Sequence, residues 1–419
     1  TGAYSAETPG GWQLIGRTPV GLFDPSADPP TPMQAGDSVH FAPIQEEEYQ
    51  RLDAEYAERQ APDAGGSNPQ SAIRNLQSPP AVLEVLEPGL LTTVQDRGRF
   101  GYMKFGVPVS GAVDPVALRL GNVLVGNSQG AAALEFTLMG PRVRLLADTV
   151  LALTGAEVRA TLDGAPVPWY ESFQAGAGQV LEVGPCQHGV RGYLAVAGGL
   201  DVPVLLRSRS TCLAAGFGGV AGRPLAAGDV LAAGPVPDPL ERVAGFSAPQ
   251  SWRPGPGGEV TLRVVMGPQA DAFTEAGLRT FLTSTYQVSA RSDRMGCRLE
   301  GPHIEHRGAP DILSDWIPLG GIQVPGDGKP IILLADRQTT GGYTKIASVI
   351  SPDLGVAAQR RPGDAVRFRA ISIQDAQTIS RNLEKRLARI PLLRSALWQE
   401  LAESGEAPGD LGGARPSLA

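Results

Sequence analysis

The sequence predicts a mainly β fold with a few helices, laid out as two barrel-like lobes in tandem. Three observations carry this expectation. Glycine (53) and proline (37) are abundant in the 419 residues but scattered among short apolar runs, the pattern of short strands joined by tight turns. The order strand, helix, strands occurs from residue 81 and again from about residue 258. Both runs close on a Gly-Asp turn before an apolar strand, Gly228-Asp229 and Gly363-Asp364, and Gly36-Asp37 repeats the turn near the front.

Residues 1–50 are strand-rich, with Trp12 their only tryptophan, too little apolar bulk for a core of their own. They are expected to be the end of a domain whose beginning lies upstream, consistent with a start at Thr1 instead of Met. Residues 51–80 form the linker: a charged, helix-compatible stretch from Glu46 to Arg59 runs into a segment rich in Pro, Gly, Ser, Asn and Gln. A first lobe spans 81–250. It opens on the strand Val82–Leu86, followed by a helix with Asp114 as N-cap, Pro115 at its first position, and Gly126-Asn127 as its stop. A second lobe spans 251–375, with a strand at Leu262–Met266 and a helical segment from about Asp271 to Thr283. Residues 376–419 read as a solvated or partner-docking helix with Ile379, Leu383, Leu387 and Ile390 at helical spacing, then a flexible tail.

A net charge of −7 and the lack of a Lys/Arg block exclude nucleic acid as the main partner. No apolar run is long enough to span a bilayer, so a cytoplasmic protein is expected. Cys186, Cys212 and Cys297 lack paired spacing and read as core residues of a reducing compartment. The sequence has no phosphate loop, no biotin-accepting Met-Lys-Met and no H-E-x-x-H motif. His303 and His306 lie among Pro302, Gly308 and Pro310, in a loop instead of a metal-binding helix face, and no metal site is expected.

Four segments carry polar chemistry that folding alone does not require. Thr93–Tyr102, continuing to Gly111, joins Asp96, Arg97 and Arg99 with glycines that let backbone approach a ligand. Leu206–Thr211 interleaves hydroxyls with arginines. Ser292–Leu299 carries Asp293, Arg294 and Arg298. In the fourth, the apolar strand Ile331–Leu334 runs into Asp336, Gln338, Thr339, Thr340, Gly341, Gly342 and Tyr343, with Gln323 just upstream. A buried strand that delivers polar groups at its end is a common way to build a pocket.

Taken in order, T-V-Q-D-x-G-R-x-G, S-R-S-T, S-D-R-M-G-x-R-L-x-G and D-x-Q-T-T-G-G-Y resemble the signature of the biotin-dependent carboxyltransferase-like family. That family includes the C subunit of 5-oxoprolinase (allophanate hydrolase subunit 2) and the carboxyltransferase domain of urea carboxylase. The likeness spans about residues 81–375. Separately, Thr8–Pro19 resembles the closing motif of the B subunit of 5-oxoprolinase (allophanate hydrolase subunit 1). Arg207, where the family usually has Gly, and Cys297, where Tyr is common, depart from the pattern and touch substrate selectivity.

The resemblance implies cyclophilin-like β-barrel lobes and an ATP-coupled hydrolase acting on a cyclic amide. Mg-ATP would be bound with partner proteins resembling the A and B subunits of 5-oxoprolinase, in a hetero- or homo-oligomer. It also allows a carboxyltransferase acting on urea or a related amide, with biotin carried by a partner, or a regulatory module that antagonises a kinase inhibitor. For such an amide, Asp293 or Asp336 would serve as base. Arg209, Arg294 or Arg298 would steady phosphate or carboxylate through forked hydrogen bonds. Gln323, Gln338, Thr339 and the Gly341-Gly342 backbone would hold the carbonyl oxygen. Ser208, Ser210, Thr211, Thr340 and Tyr343 complete the expected substrate-binding set.

Overall fold

The computed structural model describes residues 17–60, except 20, 26, 28 and 34–36, and 79–404, except 237, 238, 254, 256 and 257. Side chains are described as far as residue 390, outside 56–60 and 241. The chain falls into two compact units, Thr1–Ser78 and Pro79–Ala419. Most of the motif that resembles the 5-oxoprolinase B subunit, Thr8–Gly16, and the Pro/Gly/Ser-rich residues 61–78 lie outside the described residues. The described part of the first unit contains α1 (Glu46–Gln60). Glu46, Glu47 and Glu48 face the positive end of its dipole, and an Arg51–Glu55 pair at 2.8 Å adds an i,i+4 contact.

The first lobe of the second unit runs β1 (Ala81–Glu87), β2 (Thr92–Gln95), α2 (Pro115–Leu124), β3 (Ala133–Thr137), β4 (Arg142–Leu145) and β5 (Thr149–Leu162). It continues through β6 (Ala165–Pro166), β7 (Ser172–Ala175), β8 (Val180–Val196), β9 (Leu200–Asp201) and β10 (Val230–Ala233). These strands form one sheet in the order β2-β3-β8-β4-β1-β10-β9, with β5 paired to β8 and carrying β6 and β7. Long β8 bends so that its start pairs with β4 and its end with β3, which rolls the sheet around a core including Leu83, Leu134, Phe136, Leu153 and Leu194.

The second lobe runs β11 (Val260–Met266), α3 (Glu275–Thr283), β12 (Tyr286–Val288), β13 (Gly296–Glu300), β14 (Asp311–Trp316) and β15 (Gly321–Gln323). It ends with β16 (Ile331–Leu333), β17 (Thr340–Tyr343), β18 (Lys345–Val349), α4 (Ser351–Ala358) and β19 (Ala365–Ala370). Seven strands close a barrel in the order β11-β18-β15-β16-β13-β12-β19, and β14 with β17 forms a separate two-stranded ribbon. The fold is therefore mainly β with two barrel-like sheets, as the composition and turn pattern predict.

Local signals explain the helix ends. Asp114 Oδ1 accepts from Ala117 N at 3.1 Å, Pro115 sits in the first turn, and Gly126 takes φ +76° past the end of α2. The other Asp114 oxygen accepts from Gln359 Nε2 at 2.9 Å, 245 residues away. Asp114→Ala loses a cap and one of the two acceptors of that buried amide, which keeps its bond to Arg191 O, so urea unfolding should show a loss of about 1–3 kcal/mol. The second lobe's helix starts later than the sequence expectation of Asp271. A single 3-10 turn covers Ala270–Ala272, and Thr274 then caps α3 by accepting from Gly277 N at 2.9 Å.

The paired Gly-Asp turns match in detail. Gly228 and Gly363 both take φ +89°. Each donates its N–H at 2.8 Å, to Val85 O and Val288 O, and each following Asp accepts from the residue three positions back at 2.8 Å. Gly36 lies outside the described residues. The lobes are not simple copies, however. β1 pairs antiparallel to its closing strand β10, whereas β11 lies parallel to β19. The turn recurs, but the pairing it feeds does not.

The last helix, α5 (Ile373–Ser404), corrects the expectation of a solvated or partner-docking element. Leu387 (0% exposed) and Ile390 (4%) enter the core formed by α2, β5 and β8. Arg119 grips Glu384 through two hydrogen bonds of 2.7 Å, and Gln129 Nε2 donates to Leu387 O at 2.8 Å. Burying two such aliphatic side chains contributes roughly 3–6 kcal/mol, which makes this helix part of the chain's own core.

Candidate functional site

The residues singled out in the sequence gather in three places. In the first lobe, Ser208, Arg209, Ser210 and Thr211 brace the loop that follows β2. Asp96 accepts from Ser208 Oγ at 2.7 Å, from Gly98 N and Arg209 N at 2.7 Å, and from Ser210 Oγ. Thr211 Oγ1 donates to Val94 O at 3.0 Å. The Arg209 guanidinium reaches Asp201 Oδ1 at 2.6 Å and Val202 O at 3.1 Å. Four neighbouring donors around one buried carboxylate make this a structural brace, and its hydroxyls are spent on the protein.

The second place is the seam between the lobes. Arg294, 5% exposed, donates through Nε to Asp336 Oδ2 at 2.8 Å, through Nη1 to Glu135, and through Nη2 to Gly111 O at 2.7 Å. Glu135 Oε2 also accepts from Val113 N at 2.9 Å and Tyr193 OH at 2.7 Å. Burial alone would lower the Arg294 pKa, but Asp336 and then Glu135 hold it above its usual value. Burial, reinforced by Glu135, drives the Tyr193 phenol well above its ordinary range. Asp336, read as a candidate base, is thus committed to Arg294. Asp293 and Arg298 stand at the surface beside this seam. Asp293 Oδ1 accepts from Met295 N at 2.8 Å and Gly296 N at 3.0 Å, holding its own turn.

The third place lies where the β14–β17 ribbon meets the barrel. Gln323, on β15, is 2% exposed, and its Nε2 has no hydrogen-bond partner among the described residues. It points at Gly341: a methyl placed on Gly341 would lie 2.9 Å from Gln323 Nε2, 3.5 Å from Gln338 Nε2 and 2.7 Å from Ile317 Cδ1. Two amide groups therefore lie against Gly341, where Ile317 packs too closely for any residue with a Cβ to fit without a shift. Lys345 pairs with Gln323 in the β15–β18 ladder, and Asp315 faces Gly341 in the ribbon. The Lys345 ammonium, its side chain 4% exposed, lies 2.9 Å from Asp315 Oδ2 without a well-aligned hydrogen-bond acceptor. Lys345, then Gln269 at 3.1 Å, hold the half-exposed Asp315 carboxyl below its usual range. Gly342 and Thr339 are half-buried beside this cluster, while Thr340 and Tyr343 are exposed on the ribbon.

Lys345, Asp315 and Glu135 lie outside the residues that the sequence motifs mark. Lys345 stands two residues beyond Tyr343, and its distance from any acid in sequence concealed the pair. Arg337 was passed over too: it is 4% exposed, bonds to Ile317 O at 3.1 Å, and burial pushes its pKa down to about 10. All three cysteines are buried and free, and burial lifts the Cys186 and Cys297 thiols to about 11, away from reactive thiolate chemistry. His306 Nε2 meets Val324 O and Thr344 Oγ1 at 3.1 Å in a packing role. Among the described residues no three His, Cys, Asp or Glu side chains gather as a metal-ligand set. A surface cavity of about 410 Å³, lined by Thr261, Arg263, Asp353, Val356 and Arg369, contains none of the residues read from the sequence.

Residues 105–370 match the family described as carboxyltransferase domain, subdomain A and B, and residues 1–33 match carboxyltransferase domain, subdomain C and D. The chain is 38% identical over 309 residues to the C subunit of 5-oxoprolinase from Haemophilus influenzae, covering 74% of this chain and 97% of that protein. A 49-residue stretch is 57% identical to the B subunit of 5-oxoprolinase from Bacillus subtilis, covering 12% of this chain and 20% of that protein. The crystal structure of K. lactis urea amidolyase aligns with a TM-score of 0.70 at 33% identity, over 75% of this chain and 20% of that one. The ordered motifs, the two barrel-like sheets and these matches agree: the chain belongs to the carboxyltransferase domain family, subdomain A and B, which it shares with the C subunit of 5-oxoprolinase.

Proposed function

We propose that this chain works as the counterpart of the C subunit in an ATP-dependent 5-oxoprolinase, opening the 5-oxoproline lactam to glutamate together with A- and B-like partners in the cytoplasm. The observation that carries the reading is the cluster at Gly341, in a chain that covers 97% of a 5-oxoprolinase C subunit. An amide carbonyl placed over Gly341 accepts from Gln323 Nε2 and Gln338 Nε2 as its oxygen gains charge. Lactam opening adds water to the carbonyl carbon, breaks the C–N bond and delivers a proton to nitrogen. Lys345, next to the half-exposed Asp315, is placed to move that proton, a role the Arg294-bound Asp336 cannot take.

The residues at Gly341 suit one carbonyl or carboxylate oxygen and do not fit Mg-ATP. They include no phosphate-cradling glycine loop, and the described residues offer no cluster of metal-ligating side chains. Nucleotide handling is therefore assigned to the partner proteins, and no step on this chain is routed through it.

The test is glutamate release from 5-oxoproline, with and without ATP, by the chain assembled with full-length A- and B-like partners. No release from the complete assembly would sink the reading. A second reading, carboxyl transfer to urea from biotin on a partner, draws on the fold shared with urea amidolyase. Urea-dependent decarboxylation of carboxybiotin by the same assembly would put it first. Gly341→Ala should cut turnover roughly ten- to a hundredfold, because the methyl pushes against Gln323 and Ile317 and misplaces the carbonyl donors, while overpacking costs about 1–3 kcal/mol. Turnover and urea unfolding of the same variant separate the two effects.

A further inference from the structure

The Gly341 cluster leaves unexplained a second group of unmet hydrogen-bonding atoms, in the first lobe. Arg99 is 0% exposed, and its Nη2 donates to Ser210 O while Nε and Nη1 have no partner among the described residues. Its guanidinium lies 4.7 Å from the centre of the Phe217 ring. Gln95, also 0% exposed, donates its Nε2 to Thr211 O at 3.2 Å and Thr93 Oγ1 at 3.0 Å, while its Oε1 accepts nothing. Ser110, 4% exposed at φ +53°, holds its hydroxyl beside the Cys212 thiol without an aligned partner. Arg99, Gln95 and Ser110 thus touch three consecutive residues, 210 to 212.

A buried guanidinium ordinarily has a carboxylate beside it, because an uncompensated charge is costly away from water. Besides the Cys212 thiol, which burial keeps protonated at neutral pH, the acids that act on Arg99 are Asp96 and Asp336. Both are committed, Asp96 to the Ser208–Ser210 brace and Asp336 to Arg294. We propose that Arg99, Gln95 and Ser110 form a second ligand site, for a small planar oxyanion that also carries one O–H or N–H donor. The guanidinium supplies donors to the oxyanion, Gln95 Oε1 takes the ligand's donor, and Ser110 completes the shell. Bicarbonate has this chemistry; formate has the oxyanion without the donor; urea has the plane without the charge.

The loop between β2 and α2 carries Arg99. Its neck is closed where Gly98 and Gly111 meet: a methyl on Gly111 would lie 2.7 Å from Gly98 N. Beyond the neck, Phe100 is 62% exposed, and the tip touches the second lobe where Arg337 Nη2 lies 3.8 Å from Met103 Sδ.

The test is titration of the intact chain with bicarbonate, formate and urea, followed by the ¹⁵N–¹H signal of Arg99 Nε, assigned by its loss in Arg99→Lys. Bicarbonate should shift the signal saturably, formate more weakly, and urea not at all. Ser110→Gly, which also relieves the positive φ, should fold normally and weaken bicarbonate binding by roughly three- to tenfold. Arg99→Lys should abolish the thermal stabilisation that bicarbonate gives the wild type. A signal that ignores all three probes and exchanges magnetisation only with solvent means a buried water, and overturns the proposal. Equal stabilisation of wild type and Ser110→Gly by bicarbonate and formate alike overturns it as well, even if Arg99→Lys does not fold.

Discussion

Arg294→Met should destabilise the second unit by about 3–5 kcal/mol, the cost of leaving buried carboxylates without their shared cation. Glu135 and Asp336 come from different lobes, and both hold Arg294 in a site of about 5% exposure or less. Methionine fills much of the volume of the side chain but restores none of its four hydrogen bonds to Asp336, Glu135 and Gly111. Combining Arg294→Met with Glu135→Gln and Asp336→Asn removes both stranded charges and should recover a large part of the loss. Urea unfolding at neutral pH measures both variants. Two resolved transitions in Arg294→Met would show that the pair of acids and their arginine couple the lobes. A loss under about 1 kcal/mol would show that the triad is dispensable.

Lys345→Met should lower kcat for 5-oxoproline opening by roughly 10²–10⁴, the range for removing a positioned proton-transfer group. KM should change little, because the carbonyl donors Gln323 and Gln338 remain. Asp315→Asn removes the charge beside the ammonium and leaves one acceptor oxygen for Gln269 or for Trp316 N, so its effect should be smaller. Steady-state kinetics of the assembled enzyme checks both. Wild-type kcat in a folded Lys345→Met chain would remove the ammonium from the chemistry. A rise in KM at constant kcat would make it a binding group.

Local features of the chain were legible in the sequence because their causes are local. Asp114-Pro115 favours a helix start through its own cap and fixed φ, and Gly228-Asp229 and Gly363-Asp364 make the same turn in two different sheets. The apolar strand ahead of Asp336 marked a polar site, and part of that site, Gln323, Gln338 and Gly341, does converge. Pairings across long separations were not legible. Ser208 and Ser210 look like ligand hydroxyls until Asp96, 112 and 114 residues earlier, takes them. Asp336 looks like a free base until Arg294 and Glu135 meet it at the seam. Lys345 carries no local mark at all, since only the ladder to Gln323 and the ribbon register bring it to Asp315. Helical spacing marks the C-terminal helix, but its apolar stripe does not reveal whether solvent, a partner or the chain's own core covers it.

That last attachment has a consequence for biosynthesis. The first lobe leaves the ribosome more than a hundred residues before Leu387 and Ile390, yet these two side chains complete the core beneath α2. Until they emerge, the nascent first lobe presents an uncovered apolar face. The barrel of the second lobe waits as well, because its first strand, β11, closes against its last, β19. Both lobes therefore reach their final form within the last stretch of translation, and a chain interrupted near residue 380 would carry a finished barrel beside an unfinished neighbour. A truncated chain of that length, released from the ribosome, should be protease-sensitive around α2 and a ready substrate for chaperones that bind exposed apolar surface.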